Sequence, residues 1–348
     1  MTAPVPAYTV VVPTIGRPCL ADCLRALAAA EGHAPEGVLV VDDRPDPVGP
    51  LPLDAAGHLR DRVRVLRTGG RGPAAARNAG LREVDTPWTV FLDDDVRVLP
   101  DWSRRLAADL ASAAENTGGI QGRLRVPLPA DRRPTDWERG TAGLEHAAWA
   151  TADMAYRTQA LKGVGGFDER FGRAFREDAD LALRVRRAGW TLHRGRRTTL
   201  HPVRPADRWA SVRAQRGNAD DALMNRLHGR DWWARAEAPR GRLPRHALVT
   251  AAALAACLGA ITGHRRAAAA AGAVWAAGTA EFALARIAPG PRTPDEILTM
   301  TVTSALIPPL ATAHWLDGTR RHRRALPLGS ATHGTRLRHR AAPQESRS

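Results

Sequence analysis

The sequence predicts an α/β domain built on a mixed, mostly parallel sheet, followed by a C-terminal apolar helical region associated with a membrane. Three observations carry this expectation. Short β-branched runs alternate with helical patterns as far as His201, two of those runs stop on aspartates, and alanine-rich apolar stretches take over after Arg240. Alternation of this kind builds a sheet covered by helices on both faces, so its strands read as continuous apolar runs.

Residues 8–13 form the first such run, closed by a proline. Leu20, Cys23, Leu24 and Leu27 then recur at helical spacing. Residues 38–41 form a second strand, stopped by Asp42 and Asp43, and residues 63–66 a third. Glycines 70 and 72 open a helix over 74–81. Residues 88–92 form a fourth strand, which ends in Asp93, Asp94 and Asp95, with a helix starting near Pro100. A strand-like run at 198–200 leads into His201. Ligands of such sheets bind beyond the carboxyl ends of the strands. Pro13-Thr14, Asp42-Asp43 and the triple aspartate are therefore expected to meet at one crevice.

At 348 residues the chain is long enough for about two domains. Its 44% hydrophobic and 25% charged residues exclude wholesale disorder. The net charge of +15 favours anionic partners: phosphates, nucleic acid or acidic lipid headgroups. Lys162 is the one lysine, which excludes a Walker-type phosphate loop. Three cysteines cannot frame a disulfide scaffold; Cys19 and Cys23, one helical turn apart, read as core thiols in a reducing compartment. No secretory signal is visible at the N-terminus, so the first domain is expected on the cytoplasmic face of the cell membrane.

The organisation expected is a catalytic domain over 1–240, an apolar helical region over 241–318 and a basic, disordered tail over 319–348. A bilayer span needs about 20 apolar residues. Residues 267–287 and 297–316 reach that length, whereas 246–262 falls short and is expected to lie at the interface or re-enter. Arg240, Arg242 and Arg245, then Arg265 and Arg266, then Arg320, Arg321, Arg323 and Arg324 flank these stretches. A hairpin of the second and third stretches keeps every basic cluster inside and the turn at 289–296 outside. A soluble helical pair packed on the first domain is the alternative, and Glu281 inside the second stretch favours it.

Each candidate for chemistry has two readings when taken alone. Asp93-Asp94-Asp95 either caps a helix or holds a hard divalent cation, Mg²⁺ or Mn²⁺, through oxygen ligands. Asp42-Asp43 is turn chemistry, or hydrogen-bonds a base or ribose. Glu177-Asp178 opens a helix, so the pair either complements the helix dipole or supplies a general base. Arg71, Arg77 and Asn78 are surface charge, or meet phosphate at a helix N-terminus. His201 is structural or a ligand.

Together the pieces resemble family 2 glycosyltransferases. The blocks are V-V-V-P-T-I-G-R-P (10–18), V-V-D-D (40–43), A-R-N-A-G-L (76–81), F-L-D-D-D-V (91–96), G-G-F-D-E (165–169) and E-D-A-D-L-A-L-R (177–184). The resemblance covers residues 8–201 and implies a GT-A nucleotide-diphospho-sugar transferase fold with inverting, metal-dependent chemistry. It implies a nucleotide-diphospho-sugar donor bound by Pro13, Thr14, Arg17, Asp43, Arg77 and Asp94, with Asp43 on the base and Asp94 towards the ribose or diphosphate. Asp93, Asp95 and His201 would hold the divalent cation. Asp178 matches the catalytic base, with Glu177, Gly165, Gly166 and Phe167 on the acceptor side. The Q-x-x-R-W signature of processive members is missing, so one sugar per encounter is expected, on an acceptor hydroxyl that a membrane hairpin would make lipid-linked or part of the cell envelope. A nucleotidyltransferase, or a non-catalytic membrane-associated nucleotide-sugar-binding protein, is the alternative. No nucleic-acid recognition module is evident.

Overall fold

The computed structural model describes residues 6–328. They form an eight-stranded mixed sheet ordered β3-β2-β1-β4-β7-β6-β8-β5. Its strands are β1 (Tyr8–Thr14), β2 (Gly37–Asp42), β3 (Val63–Arg67), β4 (Trp88–Leu92), β5 (Arg97–Val98), β6 (Thr117–Arg125), β7 (Asp153–Arg157) and β8 (Thr191–Leu200). The first four run parallel, with Val11 opposite Leu39 and Val10 opposite Val90. β7 runs antiparallel to both β4 and β6. β6 and β8 are parallel again.

Helices α1 (Cys19–Ala28), α2 (Pro73–Arg82), α3 (Trp102–Ala111), α4 (Asp136–Ala142), α5 (Thr158–Gly163) and α6 (Glu177–Arg187) surround the sheet. Leu20, Leu24 and Leu27 of α1 join Trp102 and Leu106 of α3 on one face. Leu81 of α2, Leu161 of α5 and Leu181 of α6 fill the other. α2 lies close on β1 because position 80 has no side chain: a Cβ there would fall 2.4 Å from a Val11 methyl. Helices α7 (Ala210–Ala214), α8 (Asn218–His228) and α9 (Trp232–Arg235) follow, and α8 and α9 pack with α6 around Phe171, Leu223 and Trp232.

The first four strands appear where their β-branched runs predict them. β6 is hidden in the sequence because its T-G-G-I-Q-G stretch lacks that density. Its glycines are steric necessities: a Cβ at Gly119 would meet the Tyr156 ring at 2.7 Å, and one at Gly122 the Asp153 carboxylate at 2.1 Å. That carboxylate is fully buried. It accepts from Arg197 Nε (2.8 Å), Trp102 Nε1 (2.8 Å) and Thr199 Oγ1 (2.6 Å), which ties β7, α3 and β8 together. Cys23 is a core thiol, as expected, whereas Cys19 is only half-buried.

Three long helices complete the described residues: α10 (Leu243–Ile261), α11 (Arg265–Ile287) and α12 (Pro294–Arg321). All three are long and apolar enough to cross a membrane. This alters the expected arrangement in four ways. First, α10 begins at Leu243 and runs 19 residues, which makes it a third candidate span by length and composition. Second, α11 pairs more extensively with α10 than with α12, which it also touches. Arg242 and Arg245 bind Glu281, Gly278 admits Val249, and Gly259 abuts Ala268. The antiparallel pairing puts Arg265 and Arg266 at the opposite end of the pair from Arg242. Third, the turn at 289–296 is packed on the first domain rather than remote from it: Arg133 donates to Ala288 O, and Asp136 N to Glu296 Oε1. Fourth, α12 continues through Arg321, which shortens the expected tail, and Gly318 presses on Ala219 of α8. The tail beyond residue 328 lies outside the described residues.

Candidate active site

Parallel strands β1, β2 and β4 end side by side, and their next residues share one cleft of about 650 Å³. Pro13, Thr14 and Arg17 line it from β1, Asp43 from β2, and Asp93, Asp94 and Asp95 from β4. Glu177 and Asp178 enter from the first turn of α6, and His201 from the end of β8. Ten of the residues expected from sequence therefore meet in one place.

Asp93, Asp95 and His201 bring one ligand atom each within 4.8 Å of one another. His201 Nε2 stands 3.6 Å from Asp95 Oδ1, and its buried Nδ1 has no hydrogen-bond partner among the described residues. The set, two carboxylates and one imidazole, could hold a divalent cation. Asp94 points elsewhere. It accepts from Thr14 Oγ1 at 2.6 Å and pairs with Arg17 Nη1 at 3.0 Å, so it fastens the loop after β1. Burial pushes its carboxyl up, against the pull of Thr14 and Arg17.

Arg77 does not reach the cleft surface. Its guanidinium is 2% exposed and spans two acids, Asp93 and Glu177, at 2.8 Å each. It also stacks on Phe167, 5.5 Å from the ring centroid. One buried guanidinium thus ties the end of β4 to the helix that bears Asp178. Burial pushes both Glu177 and Asp178 up, and Arg77 opposes it in each case. Asp178 Oδ1 accepts from Ala179 N at 2.7 Å. Arg176, just before the pair, adopts φ +74°, a left-handed turn that lets the chain enter α6 abruptly.

Asp43 turns its carboxylate onto the glycine-rich loop before α2. It accepts from Thr68 Oγ1 (2.6 Å), Arg71 N (2.8 Å) and Gly72 N (2.8 Å), which shapes the floor of the cleft. Gly165, Gly166 and Phe167 are not in the cleft wall. Asn78 explains why: its amide donates to Phe167 O (2.9 Å) and accepts from Phe167 N (2.8 Å), clamping that loop against α2. The Phe167 ring then packs edge-on to Phe91, beneath Arg77.

Several cleft residues were not anticipated. Trp137 and Asp136 sit on α4, whose N-terminus has a capping box: Thr135 Oγ1 accepts from Glu138 N, and Thr135 N donates to Glu138. That T-x-x-E pattern was readable as a helix start. Phe175, Ser211, Gln215 and Arg204 complete the wall and had no motif to announce them. Arg204 Nε lies 3.0 Å from Asp95 Oδ2. Arg286, at the end of α11, bonds Asp136 (2.8 Å) and Ser211 (3.0 Å) on the cleft rim, together with Thr303 and Ser304 of α12.

Comparison with known proteins agrees with this geometry. A pre-mycofactocin glycosyltransferase of Mycobacterium tuberculosis is 31% identical over 136 residues, which is 35% of this chain; the chain thus spans 28% of that relative's length. A solved mannosyltransferase of Pyrobaculum calidifontis, in complex with GDP-Man and Mn²⁺, superposes with a TM-score of 0.55 at 19% identity, covering 89% of this chain and 87% of that one. At that identity the likeness speaks to the fold, which is of the GT-A type. The family described as Glycosyl transferase family 2 matches residues 9–180, and with the D-x-D strand end and the Glu-Asp helix start in one cleft, this chain belongs to that family.

Proposed function

We propose that the chain is an inverting, non-processive glycosyltransferase that moves a sugar from a nucleotide-diphospho-sugar to an acceptor hydroxyl. The observation that carries this is the Arg77 bridge, which fixes Asp93 of the cation set and Glu177, neighbour of Asp178, around one guanidinium. The geometry serves a displacement in which charge leaves on one side of the cleft and a proton leaves on the other.

A divalent cation on Asp93, Asp95 and His201 would supply positive charge to the departing diphosphate. The chain's residues do the rest. The loop after β1, braced by Asp94, and the loop that Asp43 holds form the donor side. Asp178 accepts the acceptor's proton as its oxygen attacks the anomeric carbon. Burial raises the proton affinity of that carboxyl, which suits it to general-base work.

The acceptor is proposed to be lipid-linked or part of the cell envelope, with the catalytic domain on the cytoplasmic face of a membrane. Two features support this. Leu248, Leu254, Leu258 and Ile261 of α10 are between 63% and 83% exposed, an apolar face of the kind that enters lipid. Arg286 anchors those helices to the rim of the cleft, so an acceptor held in lipid would present its hydroxyl beside Asp178. GDP-Man, which the Pyrobaculum enzyme binds, is the first donor to try. The test is a panel of nucleotide-diphospho-sugars with Mn²⁺ and membrane extract. Release of a nucleoside diphosphate supports the proposal; release of pyrophosphate would make the protein a nucleotidyltransferase.

A further inference from the structure

We infer that Arg204 is a displaceable cation that holds Asp95 until a divalent ion arrives and then turns to the diphosphate. This rests on the proposed glycosyl transfer and adds to it a residue that binds the leaving group. Two other arginines stand beside the acids of the site, and both are committed. Arg17 pairs with Asp94, and Arg77 is buried between Asp93 and Glu177. Arg204 pairs with the other carboxylate of the cation set, 3.0 Å from Asp95 Oδ2, and unlike Arg77 it does so from an exposed side chain.

The two partners differ in freedom. The Asp95 side chain is 6% exposed, and that of Arg204 is 46% exposed. The Arg204 backbone is held instead. Its carbonyl accepts from Trp137 Nε1 at 3.0 Å, and Pro202 and Pro205 bracket it with fixed φ. His201 N, three residues before, is fastened to Arg125 O at 2.8 Å. A side-chain rotation therefore suffices to move the guanidinium while its Cα stays beside the cation set.

A divalent ion on Asp95 competes with the guanidinium for the same carboxylate and repels it. The diphosphate that enters with the ion brings new negative charge to the same spot, and a guanidinium fork matches phosphate oxygens. Two opposite effects follow for one residue. As a competitor it weakens binding of the bare ion, and as a phosphate ligand it strengthens binding of the nucleotide.

The experiment is calorimetry on the full chain in detergent, wild type against Arg204→Ala and Arg204→Lys. Mn²⁺ alone should bind Arg204→Ala about two- to fivefold more tightly than wild type, the size of an exposed ion pair. GDP and UDP, titrated into Mn²⁺-saturated protein, should bind the same variant at least about tenfold more weakly, as expected for a lost charge-assisted bond. Arg204→Lys should recover part of the nucleotide affinity. Unchanged affinities, or a loss of both together, would overturn the inference. Failure of wild type itself to bind Mn²⁺ would instead overturn the glycosyl-transfer reading beneath it.

Discussion

Arg77→Met removes the cation that joins the two halves of the site, and the cost can be worked from its surroundings. The Arg77 side chain is 2% exposed, that of Glu177 3% and that of Asp93 27%. Breaking a buried pair from one side costs about 3–5 kcal/mol, because a charge is left without a partner. Glu177 escapes part of that cost by taking a proton, since burial already pushes it up. The expected loss is therefore near the lower bound, about 3 kcal/mol, or about 6–12 °C in Tm for a domain of this size. The sign of its pH dependence follows. A carboxyl whose folded pKa is raised stabilises the fold fully below its unfolded value and less as pH rises through the folded one. The variant's deficit should thus narrow towards pH 4 and widen above neutrality, read by urea unfolding across that range. Arg77→Met with Glu177→Gln removes both charges and should regain most of the loss. A deficit under about 1 kcal/mol for the single variant, or no recovery in the double, would refute the bridge as the organiser of the site.

Two further outcomes are expected. The transfer rate should fall on acidification through a pKa above the ordinary aspartate value, because burial raises Asp178 and only its ionised form accepts a proton; a pH–rate profile still flat at pH 4 would contradict this. Gly166→Ala should destabilise by about 1–3 kcal/mol, measured by thermal unfolding, since that position has φ +70° and its Cβ would fall 2.5 Å from Asn78 Oδ1, opening the clamp on Phe167; an unchanged melt would show the loop tolerates it.

Much of the fold was legible because parallel strands are buried on both faces and show as β-branched runs, as at Tyr8–Thr14 and Trp88–Leu92. β6 was not, because close strand packing there demands glycine, which carries no strand signal. The cleft acids were readable since strand ends announce them. Their division of labour was not. The sequence could not tell that Asp94 braces Thr14 and Arg17 while its neighbours face His201, because pleating and loop geometry decide which carboxylate points where. Arg77 looked like a phosphate ligand and proved to be buried, since its partners lie 16 and 100 residues away. The packing of the helical region was hidden for a related reason. Charge clusters argue for topology across a membrane, but packing of the turn at 289–296 on α4 is a tertiary fact with no local signature.

The proposed transfer depends on the Asp178 carboxylate deprotonating the acceptor, while the other cleft acids hold the cation and brace the loops around the donor. Asp178→Asn tests it most directly, because the asparagine oxygen can still accept from Ala179 N and preserve the start of α6. Donor binding with Mn²⁺ should stay within about twofold of wild type, and sugar transfer should fall by about 10²–10⁴. Transfer at the wild-type rate, with the fold and donor affinity intact, would contradict the account.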